Sequence, residues 1–384
     1  MVAYDVGIVG AGVHGAAAAY HLSSRDVHTV VVEQGQPASG PTGRSSAICR
    51  AYYTNRFLAT AARDSIRMIE RFEELTGVDA GFRRTGLMFL HPPEDEGAVR
   101  ESVHRLNELG IVTELLEREE LAKRLPLFDL EGIALGAVER DAGYADPHAT
   151  TDGLFRTAVS NGVEARLGVR VVAIEPDASE VWTIVTDDGA RLSCGRILIA
   201  AGPWTRGLAA QVGVDLPLTV ERHFVVTFRW GDAEPVPAHG DLVGGYYLRP
   251  EGEDLFLTGP LTPEPQADPD DFKSGVSSDE IERMARAVTR RVPHLAHAEV
   301  HGGWASLYDV SPDWQPVIGE IGPGVFVDAG TSGHGFKLAP ALGKHVADLV
   351  TGAETDPGLA EFDPSRFDRG SELAAGYGDA RILG

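Results

Sequence analysis

A strand, a glycine turn, a helix, a second strand and a closing acid fill the first 33 residues, and this unit dictates how the chain must begin to fold. Val6-Gly7-Ile8-Val9 is a short apolar run that breaks into Gly10-Ala11-Gly12-Val13-His14-Gly15. Ala16 to Leu22 reads as a helix, and Val30-Val31-Val32-Glu33 as the second strand. In such a unit Gly10 permits a tight turn and Gly12 lets the backbone approach a pyrophosphate. Gly15 lets the helix pack close to the strand. The helix start then offers free N–H groups and a partial positive charge to the phosphates. Glu33 lies 21 residues after Gly12, close to the spacing of roughly 20 at which a carboxylate accepts from a ribose hydroxyl. The pattern predicts a dinucleotide site, and Glu33 suits the adenosine ribose of NAD or FAD alike.

Beyond this unit, 384 residues suffice for two or three domains. A net charge of −23 excludes nucleic acid and anionic membranes as partners. It does not exclude a small anionic substrate, because screening over about 8 Å lets two cations in a cleft override distant acids. No apolar run reaches the roughly 20 residues that span a bilayer. The first strand begins almost at Met1, which leaves no room for a leader, and only Cys49 and Cys194 occur. Together these features predict a cytoplasmic enzyme without disulfides.

The pattern along the chain alternates in character. A Gly/Pro/Ser-rich loop over 34–46 leads to a helix over 58–75, closed by Gly77, and a strand over 85–91. Helices follow over 99–109, 117–125 and 147–160, then a strand pair over 163–174 and a hairpin over 182–192 turning at Asp187-Asp188-Gly189. RILIAA (196–201) is a short strand. Residues 217–262 are β-rich, and Ser277 with Glu280 caps a helix running to Arg291. A last strand (325–327), a glycine loop and a helix over 341–350 return to α/β character. The order predicts an α/β protein in which a Rossmann-like nucleotide domain is completed by distant segments.

Seven segments carry a resemblance: VGIVGAGVHG with Glu33, TGRSSAICRAYY (42–53), GYADP (143–147), IAAGPW (199–204), YLRPEG (247–252), SPDWQPVIG (311–319) and GTSGHGFKLAPALG (330–343). Together, in this order, the chain resembles the flavin-dependent amine and amino-acid oxidases of the D-amino-acid oxidase superfamily, and most of all their sarcosine and glycine oxidase branch. The resemblance implies FAD and an architecture like that of p-hydroxybenzoate hydroxylase. A Rossmann-like FAD domain (1–84, 140–216, 312–384) would interleave with a mixed α+β substrate domain (85–139, 217–311). It places Gly10, Gly12, Val13, His14, Gly15, Glu33 and Gln34 around the ADP half, and Val171 at the adenine. Arg44, Ser45 and Ser46 would lie along the pyrophosphate and flavin, with Ala201, Gly202 and Trp204 near the cofactor. Gly330, Gly333, His334, Gly335, Phe336 and Lys337 would follow the isoalloxazine edge. The backbone of that late glycine loop offers close-packed N–H groups, suited to negative charge on reduced flavin.

The same resemblance implies oxidation of the C–N bond of a small amino acid or N-alkyl amine, with O2 or another electron acceptor. Arg50 matches the arginine that grips the substrate carboxylate and Lys337 the lysine that assists it; a guanidinium fork suits a carboxylate. Tyr247, Tyr308 and His334 are further catalytic candidates, and Tyr246, Arg249 and His223 possible pocket residues. Three departures matter. Ser306 stands where monomeric sarcosine oxidases carry the flavin-linking cysteine, so a dissociable FAD is expected. Leu255-Phe256-Leu257-Thr258 lacks the lysine those enzymes use to activate oxygen. Tyr308 falls near the position of the carboxylate-binding arginine of glycine and D-amino-acid oxidases. Two other readings stay open: a 2-hydroxy-acid dehydrogenase, and a flavin-bearing subunit of a heteromeric complex.

Overall fold

Two eight-stranded sheets and a small three-stranded one organise the described residues. The first is built on β1 (Tyr4–Val9), α1 (Val13–Ser23) and β2 (Thr29–Glu33). Their central runs, Val6–Val9 and Val30–Val32, are apolar and buried, as expected of parallel strands covered on both faces. β1 lies between β2 and the strand Arg191–Ile199, which in turn pairs in parallel with Val325–Ala329. The strand Glu164–Leu167 extends the other side, beside β2. In register, Val9 lies opposite Ile199, and Ile199 opposite Val327. The next residues, Gly10, Ala200 and Asp328, therefore form a row at the carboxyl end of the sheet. The computed structural model describes residues 3–177 and 181–374. Residues 1–2, 178–180 and 375–384 of the expected nucleotide segments lie outside the described residues.

The second sheet takes strands from 87–139 and 219–310. Its longest pairing joins Thr219–Arg229 to Glu299–Val310, antiparallel. The α/β class and the mixed second sheet agree with expectation. The strand Glu299–Val310 was not anticipated: Gly302-Gly303 interrupt the alternation that would have revealed it. The helix expected over 58–75 divides into Arg56–Glu70 and Phe72–Thr76, which turns Phe72 inward until its ring would strike a Cβ placed on Gly153.

The C-terminal helix runs over Gly335–Thr351, six residues earlier than the sequence suggested. Pro340 hid its first turns, since proline removes a backbone donor within a helix. Ser65 repairs the break: its hydroxyl donates to the Leu338 carbonyl and accepts from the Ala341 N–H. This helix packs on α1 so closely that a Cβ on Gly343 would sit 2.7 Å from the Ala17 Cβ, which explains the alanine-rich face of α1. No helix among the described residues is long and apolar enough to cross a membrane.

Candidate active site

A cavity of about 600 Å³ opens where the carboxyl ends of the parallel strands meet the second sheet, the place where open α/β sheets bind ligands. Its nucleotide wall follows from the first glycine turn. Gly10 has φ +105°, and a Cβ there would lie 2.5 Å from the Ala200 carbonyl. A Cβ on Gly15 would lie 2.0 Å from the Gly10 carbonyl, so only glycine lets α1 start this close to β1. Glu33 closes β2 and accepts from the Ala11 and Gly35 N–H groups at 2.8 and 2.7 Å. The Thr42 hydroxyl, a contact the sequence gave no sign of, accepts from the Val13 N–H at 3.1 Å.

The second sheet supplies the opposite wall. Trp304 Nε1 donates to the Arg44 carbonyl and Arg249 Nε to that of Ser46, both at 2.8 Å, tying the loop 41–46 to this sheet. Tyr308 stacks on His223 with ring centroids 3.9 Å apart. His223 Nε2 lies 3.0 Å from Glu221 Oε2. Gly333, at φ +83°, rests on the Tyr308 ring, which a Cβ would strike at 2.5 Å. The strand's alternation separates two neighbours: Tyr247 lines the cavity, whereas Tyr246 points into the core toward His239. Arg249 lies behind the wall, with its guanidinium 3.9 Å from the Tyr144 ring.

Arg50 brings positive charge to the cavity and Lys337 a second basic group, and both are buried. Arg50 lies 4.4 Å from the Tyr53 ring centroid and donates to the Tyr52 carbonyl. Lys337 Nζ is 3.4 Å from the Gly333 carbonyl. Burial, and then the Arg50 charge, push the Lys337 ammonium well below its ordinary pKa. Beneath Arg50, both Glu139 oxygens accept from the Ala51 N–H, at 2.8 and 2.9 Å. Burial raises the Glu139 carboxyl to about 7, against the lowering effect of that N–H and of Arg50. An acid raised in this way stabilises the fold fully below about pH 4.5, and its contribution is lost as pH rises through about 7. We expect E139Q to be the more stable protein at pH 8, by up to about 3 kcal/mol, and to lose that advantage at pH 4. Urea unfolding at both pH values checks this; parallel curves would rule it out.

Most residues singled out from the sequence line this cavity: Gly10, Gly12, Val13, His14, Glu33, Gln34, Arg44, Ser45, Ser46, Arg50, Val171, Ala201, Gly202, Trp204, Tyr247, Tyr308, Gly333, Gly335, Phe336 and Lys337. Gly15, Gly330 and His334 do not. Gly15 serves the turn from behind, and the Gly330 N–H donates to Asp309. His334 turns inward, with Nδ1 3.2 Å from the Tyr53 hydroxyl. Its pKa is held well below the usual value by burial, then by Lys337 and Arg50, so the ring is neutral. Lys337 and Phe336, read as loop, lie in the first turn of the C-terminal helix. Cys49 is buried, and burial pushes its thiol up to about 12, so it is an inert core residue.

These residues fit a dinucleotide with a charged centre. Two helices, α1 and Gly335–Thr351, begin at the cavity; neither is capped by the side chain of its own N-cap residue or carries an acid in its first turn, and Thr42 takes the Val13 N–H of α1. The other N–H groups at these positive ends suit a ligand. Ser306 lines the cavity and its hydroxyl finds no partner among the described residues.

Residues 5–349 match the family profile described as DAO, FAD dependent oxidoreductase. Dimethylglycine dehydrogenase of Rattus norvegicus is 28% identical over 381 residues, which cover 94% of this chain and 44% of that protein. The chain thus spans about half the length of that relative. The crystal structure of glycine oxidase from Geobacillus kaustophilus superposes with a TM-score of 0.80 at 27% identity, covering 94% of this chain and 98% of the other. That of L-proline dehydrogenase from P. horikoshii has a TM-score of 0.86 at 23% identity, covering 97% of this chain and all of the other, and shows a shared fold.

Proposed function

Since this chain belongs to the DAO family of FAD-dependent oxidoreductases, we propose that it oxidises the C–N bond of a small amino acid or N-alkyl amine, giving an imine that hydrolyses to a carbonyl product. FAD, when bound, accepts the hydride at its N5. Gly10, Gly12 and Glu33 would hold its ADP half, and the helix start at Gly335 its flavin edge. The observation that carries the substrate class is the pairing of Arg50 with Lys337 in one buried cavity. Arg50 fixes a carboxylate through charge-assisted hydrogen bonds. Burial, and then that guanidinium, hold Lys337 well below its ordinary pKa, which favours an Nζ amine that takes a proton from a bound ammonium. The neutral substrate nitrogen then has the lone pair that expels the hydride. Phe89, Tyr247, Tyr308 and Leu261 give the cavity an apolar and aromatic wall.

The absence of a lysine from the strand Leu255–Pro260 favours an electron acceptor other than O2. FAD is held without a covalent bond in this reading, because Ser306 and Cys49 offer no reactive thiolate. Two buried, unpaired cysteines suit a cytoplasmic location. The division into nucleotide and substrate domains at 84/85, 139/140, 216/217 and 311/312 belongs to the same reading. Anaerobic mixing of the purified yellow protein with N-methyl amino acids, D- and L-amino acids, amines and 2-hydroxy acids tests it. Bleaching of the flavin band by a carboxylated amine, with FAD released intact by acid, is expected. Bleaching by hydroxy acids alone would make it a 2-hydroxy-acid dehydrogenase, and bleaching by none would point to a missing subunit.

A further inference from the structure

Asp328 and His14 form a charge pair that the substrate chemistry above does not use. Asp328 follows Val327, in the row that also holds Gly10 and Ala200. It therefore stands between the two helix starts, α1 on one side and Gly335 on the other. His14 Nδ1 lies 2.8 Å from Asp328 Oδ2, and His14 Nε2 lies 3.1 Å from the Gly335 carbonyl. Both ring nitrogens face acceptors, so the ring satisfies both only when it carries both protons. Burial opposes that charge, but Asp328 and then Asp309 outweigh it and the pKa is raised.

Half of Asp328 is left over. Oδ2 is taken by His14, whereas Oδ1 is buried and finds no donor among the described residues. Both residues line the cavity. A buried carboxylate oxygen without a donor destabilises a protein unless a ligand supplies one. The neighbouring Asp309 shows the contrast: its oxygens accept from the Gly330 N–H at 2.7 Å and the Thr331 hydroxyl at 3.2 Å. A bare acid so near a pyrophosphate site would repel the ligand, and the His14 cation removes that penalty. The group that joins a flavin to its pyrophosphate is a polyol chain, a hydroxyl donor that must run between these two helix starts.

We propose that Asp328 Oδ1 accepts a hydrogen bond from a hydroxyl of the FAD ribityl chain, with His14 as the positioning residue that fixes and neutralises the carboxylate. The proposal rests on FAD being the bound dinucleotide. The test removes FAD from the holoprotein and measures rebinding, by quenching of flavin fluorescence, of FAD and of analogues with one ribityl hydroxyl replaced by hydrogen. One analogue should bind the native protein about tenfold or more weakly than FAD. In the near-isosteric variant Asp328→Asn that preference should shrink several-fold. Equal affinity for FAD and every analogue in the native protein overturns the proposal, and so does an unchanged preference in D328N. Should D328N not fold, the native protein decides alone. A protein that binds no FAD at all would instead defeat the functional reading itself.

Discussion

Replacing Gly15 by alanine should yield a protein that folds but is purified nearly colourless. The obstacle is space: the added methyl would sit 2.0 Å from the Gly10 carbonyl oxygen and 3.0 Å from its carbon. Neither atom is the end of a flexible side chain, so α1 must move away from β1. Such overpacking costs typically 1–3 kcal/mol of stability, which a chain of this size can absorb. The damage to binding is greater, because the first N–H groups of α1 and the Gly10–Gly12 turn shift together. We expect FAD to bind at least a hundredfold more weakly. The flavin-to-protein absorbance ratio after purification, and a titration with added FAD, measure it. A variant that retains stoichiometric flavin would show that α1 does not set the pyrophosphate position.

The second large effect concerns Arg50. Its loss removes charge-assisted hydrogen bonds, each contributing about 1.5–3 kcal/mol, so Arg50→Ala should raise KM for carboxylated amines by tenfold or more. For an amine without a carboxylate KM should hardly change, and that contrast identifies the group Arg50 grips. Arg50→Lys keeps the charge but loses the planar fork, and should fall between the two. The variant also relieves Lys337 of a neighbouring cation, so the lysine ammonium becomes easier to form. As pH falls, turnover of R50A should then decline at a higher pH than that of the native protein. Unchanged KM values for both substrate types would remove Arg50 from the site.

Much of this could be read from the residues. The opening unit was legible because each part is local: the glycines, the alanine face and Glu33 follow one another within a single βαβ segment. The wall formed by Ser306, Tyr308 and Asp309 belongs to a strand whose alternation Gly302-Gly303 conceal. Asp328 carried no signal, since its meaning depends on a register that sets Val327 beside Ile199 and Val9. His334 lies off the cavity wall because the glycine loop does not end where its glycines suggest. The helix begins at Gly335, and the residue just before it turns inward to Tyr53. Glu139 escaped notice for a similar reason, being an acid at a strand end whose importance lies in burial beneath Arg50.

The row of Gly10, Ala200 and Asp328 also has a consequence for biogenesis. Its members lie far apart in the sequence, so the cradle is not complete until residue 337 has left the ribosome. The emerging chain must keep β1 and β2 waiting, with apolar faces uncovered, while more than half of the polypeptide is made. Such late, long-range closure slows folding and leaves time for self-association. Yield of this protein in a heterologous host should therefore depend more on chaperone capacity than on flavin supply.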